Sequence, residues 1–202
     1  MGIITEITRQ KGNKKRVSIF VDGMFFCGLD ELTAVKNRLK VGDEIDAEEL
    51  ENLQAESEYV TALDKALGYL SVRPRSRREI KTYLSGKGYL AATVDKVSAR
   101  LTELGYLDDE SYAKQYISEN MSRYGSIRLK NELIKRGVAR ETADNALQEA
   151  DRDGALADLA RSLWRSCGGD RYKLKQKLYA KGCSGDDIET ALSLAEEENL
   201  FD

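Results

Sequence analysis

The first part of the chain alternates between apolar and polar side chains with a period of two, which is typical of β-strands. Val17, Ile19 and Val21 are separated by Ser18 and Phe20. Asp22-Gly23 follows, and this dipeptide favours a two-residue hairpin turn because both residues must adopt positive φ. We predict an antiparallel sheet of about three strands, with strands at residues 3–10, 17–21 and 24–28, a short helix from Asp30 and a closing stretch at residues 41–45.

From about Glu48 onward the apolar side chains recur every three or four residues, which predicts helices. Leu63, Ala66, Leu67 and Leu70 follow this spacing, and a similar stripe leads from Leu156 to Cys167. Each stripe is one-sided, so each helix needs a neighbour to cover it. The chain contains only one proline, which leaves most of it free to be helical.

One pattern occurs three times along the helical part of the chain. An apolar residue and a lysine are followed by a leucine and then by a basic residue and glycine, at residues 80–88, 129–137 and 174–182. Ser76, Gly125 and Asp170 stand eight residues before the three leucines, where they are suitable helix N-caps. Ser76 and Glu79 form a predicted capping box, and the final glycine of each copy suits a left-handed helix end.

These copies predict the fold and the domain organisation. Each copy is the middle helix of a three-helix unit, and such units share contacts when they stand in tandem. We expect a mainly α protein, a tandem array of three three-helix repeats, elongated and curved, after a small N-terminal β-rich unit. The predicted boundaries are residues 1–55 for the β unit and residues 56–107, 108–151 and 152–202 for the repeats. Trp164 fits the repeat core better than a cofactor site.

The composition argues against an enzyme. The chain has no histidine, which excludes Ser-His-Asp and Cys-His catalysis and histidine-ligated metals. Phosphate-binding glycine motifs are absent as well. The acidic clusters have simpler roles: Asp108-Asp109 and Asp186-Asp187 begin helices, and Glu196–Glu198 is a solvated run. We expect no catalysis, no cofactor, no metal and no small-molecule substrate.

The compartment is predicted from the cysteines and the hydropathy. Cys27, Cys167 and Cys183 lie far apart and are odd in number, which favours a reducing environment. The first residues have no signal-peptide pattern, and no stretch approaches the ~20 apolar residues of a membrane span. We expect a cytoplasmic monomer without a membrane partner.

The net charge of −3 conceals a basic middle between acidic ends, since residues 71–140 carry +7 and the flanking segments carry −4 and −6. The basic side chains concentrate at the middle helix of every repeat. We predict that this element contacts a polyanion. The candidate contact residues are Arg73, Arg75, Arg77, Arg78, Lys81, Lys87, Arg123, Arg128, Lys130, Lys135, Arg136, Arg171, Lys173, Lys175, Lys177 and Lys181.

Part of this basic pattern has a purely structural explanation. Lys87, Arg136 and Lys181 lie at helix C-termini, where cations are favourable without any ligand. The arginines from Arg73 to Arg78 lie at a helix N-terminus, where cations are unfavourable, so we expect them to be functional. Four tyrosines could stack on bases or pack in the core: Tyr83, Tyr124, Tyr172 and Tyr179. The residues alone leave open whether the partner is nucleic acid or an acidic protein.

Several segments of the chain together resemble a known family. The residues that carry the resemblance are Arg73-Pro74-Arg75-Ser76-Arg77-Arg78-Glu79-Ile80, then Leu104–Asp109 with Tyr112-Ala113, then Gly125 through Leu129 to Gly137. In this order and spacing they resemble the RecX family, from about residue 60 to the end. The hairpin with Val21-Asp22-Gly23 is similar to the extension of longer members.

The resemblance implies a non-enzymatic regulator of the RecA recombinase. Members of the family bind the RecA nucleoprotein filament along its groove and restrain filament growth, ATP hydrolysis, strand exchange and coprotease action. Many also bind single- or double-stranded DNA directly, and the family offers no catalytic residues to carry over. An alternative hypothesis is a DNA-binding architectural protein that acts through its repeated basic helices without RecA.

Overall fold

The computed structural model describes residues 1–197 and divides into two compact units. The first unit comprises Met1–Pro74 and Ile80–Tyr106. The second comprises Arg75–Glu79 and Leu107–Asp202. The prediction of a solvated acidic run falls partly on Glu198, which lies outside the described residues.

A four-stranded antiparallel sheet begins the first unit. The strands are β1 (Gly2–Gln10), β2 (Asn13–Val21), β3 (Met24–Asp30) and β4 (Glu44–Ile45), in the order β3-β2-β1-β4. Ile7 pairs with Ile19, and Ile19 pairs with Cys27. Asp22 and Gly23 have φ of 51° and 79°, as the predicted hairpin turn requires.

Two helices cover the buried face of this sheet. The short helix α1 (Glu31–Lys36) begins at its N-cap Asp30, whose carboxylate accepts a hydrogen bond from the Leu32 amide. The long helix α2 (Ala47–Leu70) packs Leu50 and Leu53 into the same core as Ile4, Ile19 and Leu29, among others. This helix crosses the predicted boundary between residues 55 and 56, because its first half belongs to the sheet core.

The rest of the first unit is helical. Helices α3 (Arg77–Gly86) and α4 (Ala91–Glu103) follow α2, and α4 packs against α2. Ile80 and Leu84 of α3 and Val97 and Leu101 of α4 are fully buried. The first turn of α3 belongs to the second unit.

The second unit contains the two remaining three-helix repeats. The first of them consists of α5 (Asp109–Asn120), α6 (Ser126–Lys135) and α7 (Arg140–Glu149), around a core that includes Ile117, Leu129 and Leu133. The other consists of α8 (Asp153–Trp164), a 3₁₀ turn (Arg165–Cys167), α9 (Arg171–Ala180) and α10 (Gly185–Glu197). Its core includes Leu174 and Leu178, and Trp164 packs against this core as predicted.

The predicted repeat is confirmed. The three middle helices are α3, α6 and α9, and the leucines Leu84, Leu133 and Leu178 are fully buried in them. Gly88, Gly137 and Gly182 follow these helices with φ of 87°, 89° and 82°. No helix within residues 1–197 has the length and apolar character that a membrane span requires.

One element of the prediction needs correction. We expected about three strands, and the sheet has a fourth, β4, which pairs Ile45 with Gly2. β4 is only two residues long, so it has no alternating pattern of its own. β4 is recognised as a strand only through its hydrogen-bonded pairing with β1.

Candidate interaction surface

The N-terminal turn of α3 is anchored to the turn that follows α6. The Ser76 hydroxyl donates a hydrogen bond to the Arg136 carbonyl and accepts one from the Glu79 amide at 3.2 Å. The Glu79 carboxylate accepts a hydrogen bond from the Ser76 amide at 3.0 Å, so the predicted capping box is present. The stem of Arg78 lies so close to Gly137 that a Cβ there would overlap it. We call this contact joint A.

Joint A also contains a cluster of charged side chains. The Glu79 carboxylate pairs with Arg75 at 3.7 Å and with Arg136 at 3.5 Å. The Arg136 guanidinium donates to the Tyr112 hydroxyl at 3.3 Å and lies 5.0 Å from the Tyr116 ring centre. Burial, followed by the Glu79 charge, raises the pKa of Tyr112. These partners hold Arg75 and Arg136 in partly buried positions at the joint.

An equivalent contact, joint B, connects α6 to the turn that follows α9. The Gly125 amide donates to the Lys181 carbonyl at 3.1 Å, and the Ile127 amide donates to the Gly182 carbonyl at 3.0 Å. The backbone of Arg128 lies against Gly182, as the stem of Arg78 lies against Gly137. The Arg128 guanidinium covers the Tyr124 ring at 4.1 Å, and the Lys181 ammonium is 5.8 Å from the same ring.

A buried carboxylate completes joint B. Asp187 accepts hydrogen bonds from the Ser126 amide at 2.8 Å and hydroxyl at 2.6 Å, and from the Ser184 amide at 3.0 Å. Its second oxygen pairs with Arg152 at 2.8 Å. Burial opposes ionisation, but the hydrogen bonds from Ser126 and Ser184 and the Arg152 charge outweigh it, so the pKa of Asp187 lies below its usual value.

The sequence predicted only that Asp187 opens a helix. The structure adds that it anchors one repeat to the next. The sequence did contain a signal for the local part of this role, since Ser184 and Asp187 stand three residues apart as in a capping box. In the structure the Asp187 amide donates a hydrogen bond to the Ser184 hydroxyl at 3.0 Å. Its bond to Ser126 spans 61 residues and had no signal in the sequence.

Two of the predicted contact lysines are tied to the third helix of their own repeat. Lys81 pairs with Asp95 at 2.7 Å, and Lys130 pairs with Asp144. The two pairs occupy the same place in their repeats, since both residues shift by 49 positions. These lysines therefore link the middle helix to the third helix.

The remaining predicted cations lie at the surface, and several have partners. Lys87 lies 5.5 Å from the Tyr83 ring centre, and Lys177 donates to the Ser166 carbonyl at 2.8 Å. The ion pairs with nearby carboxylates are Lys135–Glu132, Lys173–Asp170 and Arg171–Glu196. The other exposed candidates are Arg73, Arg77, Arg123 and Lys175.

The predicted basic set therefore separates into two groups. The joints and the pairs within repeats hold Arg75, Arg78, Lys81, Arg128, Lys130, Arg136 and Lys181. The remaining candidates lie at the surface, several of them paired with a neighbour, and are here called the outward cations: Arg73, Arg77, Lys87, Arg123, Lys135, Arg171, Lys173, Lys175 and Lys177. Within residues 1–197, no cluster of three or more acidic or cysteine side chains could hold a metal ion.

Comparison with known proteins identifies the family. The model for the Regulatory protein RecX N-terminal domain matches residues 2–46. The models for the first and second RecX three-helix domains match residues 62–101 and 108–147. The chain belongs to the RecX family.

Individual RecX proteins are similar over nearly the whole chain. The Regulatory protein RecX of Halalkalibacterium halodurans is 33% identical over 207 residues, which cover 96% of this chain and 78% of that protein. That of Clostridium tetani is 30% identical, with coverage of 94% and 93%. Both relatives are named as regulatory proteins.

Solved RecX structures share the fold. A crystal structure of regulatory protein RecX superposes with a TM-score of 0.71 at 23% identity, covering 96% of this chain and 100% of that one. The crystal structure of RecX from Lactobacillus salivarius gives 0.61 at 25% identity, covering 71% and 97%.

Two neighbouring arginines of the RecX-like Arg-Pro-Arg-Ser-Arg-Arg segment should behave differently. Arg75→Ala is expected to lower the free energy of unfolding by about 1–3 kcal/mol, since it removes a partner of the partly buried Glu79 carboxylate. Arg77→Ala should cost less than about 0.5 kcal/mol, because that side chain is exposed and its amide still donates to Asp109. Urea unfolding followed by Trp164 fluorescence measures both, and equal losses would contradict this assignment.

Proposed function

We propose that this chain is a non-enzymatic regulator that binds the RecA–DNA filament and inhibits RecA recombinase, ATPase and coprotease activity. Membership of the RecX family, with three matched domains, carries the proposal. The resemblance to that family implies the RecA partner and the inhibitory direction. The protein would act in the cytoplasm, where it would limit DNA repair, recombination and the SOS response.

The arrangement of charges supports a role in binding. Within the second unit, joint A holds the first turn of α3 against the turn that follows α6, and joint B holds the start of α6 against the turn that follows α9. A filament offers repeated sites with phosphates along its length, and successive basic elements can meet several of these sites. The outward cations are the contact surface that we propose.

The direct test is DNA-dependent ATP hydrolysis by RecA with this protein added at stoichiometric amounts. We expect the rate to fall as the protein concentration rises. The variant Arg77→Ala/Arg123→Ala/Lys135→Ala removes one outward cation near α3 and two near α6, and it should require several-fold more protein for half-inhibition.

A matched control variant is Lys11→Ala/Lys14→Ala, which removes exposed cations from the first hairpin of the N-terminal sheet. It should inhibit like the unmodified protein. An unchanged ATPase rate at stoichiometric amounts of the unmodified protein would refute the proposed function. If the two variants lose the same amount of inhibition, the outward cations are not the contact surface.

The alternative function, DNA binding without RecA, has its own measurement. If several phosphates are contacted, the logarithm of the association constant for naked DNA should fall with log salt by about 0.9 per phosphate. Salt-dependent binding together with an unchanged RecA ATPase rate would favour this alternative.

A further inference from the structure

The face of α9 opposite its buried leucines carries two tyrosines whose side chains are largely exposed. Tyr172 is 70% exposed and Tyr179 is 73% exposed. They stand seven residues apart and therefore share one face of the helix, about 10 Å apart along its axis. Leu174 and Leu178, which point into the core, are on the other side of the helix.

The ring faces of Tyr83 and Tyr124, the other candidate tyrosines, are covered by neighbouring side chains. Tyr83 stacks on Tyr69 with ring centres 4.1 Å apart and an interplanar angle of 9°. Tyr124 is covered by Arg128. The faces of these rings are occupied by other parts of the protein, whereas the rings of Tyr172 and Tyr179 are open to a ligand.

A cation lies between the two tyrosines. Lys175 is three residues from Tyr172 and four from Tyr179, so it shares their face. Lys81 and Lys130, at the same position in the other repeats, are paired with Asp95 and Asp144. Within residues 1–197, Lys175 makes no such pair, and the residue at the equivalent acidic position is the longer Glu189. Its ammonium group is available for a phosphate.

We propose that this face of α9 binds a single-stranded nucleic acid, with bases stacked on Tyr172 and Tyr179 and a phosphate at Lys175. Exposed aromatic rings with a cation alongside are the arrangement that recognises single strands without sequence preference. A duplex offers its phosphates but not the faces of its paired bases. A protein partner fits less well, because lysine is depleted in protein interfaces and α9 contains four cations and no acid. The strand would be the DNA of the RecA filament, so this inference rests on the proposed function.

The experiment compares binding of a fluorescent oligothymidine of about 20 nucleotides with binding of a duplex of equal length, by anisotropy on the full chain. For Tyr172→Leu/Tyr179→Leu we expect the dissociation constant for the single strand to rise about tenfold or more, with little change for the duplex. Lys175→Ala should reduce the salt slope by about 1. Leucine keeps the helix propensity, and both positions are exposed, so the variant should unfold in urea like the unmodified protein.

The control is Tyr106→Leu, which removes another exposed tyrosine, 58% accessible, from outside the three middle helices. It should bind the single strand normally. Failure of the unmodified protein to bind the oligonucleotide, or unchanged binding by the double variant, would overturn the inference. If the double variant binds DNA normally but no longer inhibits RecA, the face contacts protein instead. If the double variant loses single-strand binding while the unmodified protein leaves the RecA ATPase rate unchanged, the proposed function fails and this site stands.

Discussion

Asp187→Ala is expected to lower the free energy of unfolding of the second unit by about 3–5 kcal/mol. The carboxylate is only 2% exposed and has Arg152 as its charged partner. Its removal takes the paired carboxylate from that guanidinium and the acceptor from the Ser126 amide and hydroxyl. Breaking a buried ion pair from one side is costly because the other charge stays in the protein without compensation.

Urea unfolding followed by the fluorescence of Trp164, the only tryptophan and a residue of the second unit, measures this loss. The control is Asp186→Ala on the same turn of α10, where the side chain is exposed and the change should stay within about 0.5 kcal/mol. If both alanine variants lose the same amount of unfolding free energy, Asp187 acts only through the helix dipole, as the sequence had suggested.

The contribution of the Asp187 carboxylate to stability depends on pH, because its pKa is lowered in the folded protein. A carboxyl group whose pKa is lower in the folded state stabilises the protein at pH values above its unfolded pKa, about 4. That contribution is lost as the pH falls through the folded value. The gap in unfolding free energy between the unmodified protein and Asp187→Asn should therefore be constant above about pH 5 and narrow below about pH 4.

Much of the fold follows from local signals. Helix caps, left-handed glycines and apolar spacing act within a few residues, so the sequence located Leu84, Leu133 and Leu178 in three equivalent helices. The hairpin at Asp22-Gly23 is equally local. Strand β4 and the sheet-covering half of α2 depend on partners distant in the sequence, and their roles could not be derived from spacing.

The candidate site shows the same division. Arg73 to Arg78 look alike in the sequence, yet Arg75 is 10% exposed beside Glu79 and Arg77 lies at the surface. The difference arises from residues such as Arg136, which is 57 positions from Glu79. Charge patterning predicted the basic middle helices, but only tertiary contacts separate the cations that hold the joints from those that lie at the surface.

Gly125 is the residue on which joint B depends most for space. A Cβ at this position would overlap the Cα and amide nitrogen of Cys183 and the carbonyl carbon of Gly182. These are backbone atoms, which cannot rotate away as a side chain can. Gly125→Ala should therefore lower the free energy of unfolding by about 3 kcal/mol, the upper part of the range for overpacking. The hydrogen bond from the Gly125 amide to the Lys181 carbonyl should break as the two segments separate.

The matched control is Gly154→Ala in α8 of the same unit, where a Cβ has nothing within 4 Å. That variant should gain about 0.5 kcal/mol, since alanine loses less backbone entropy than glycine in a helix. Gly125 has φ of −78°, which alanine adopts freely, so the loss at Gly125 would come from the close approach alone. Amide hydrogen exchange provides the local measurement: in Gly125→Ala the Ile127 amide, which donates to Gly182, should exchange faster. Unchanged exchange and a stability equal to that of the unmodified protein would show that the two turns do not meet as closely as the structure places them.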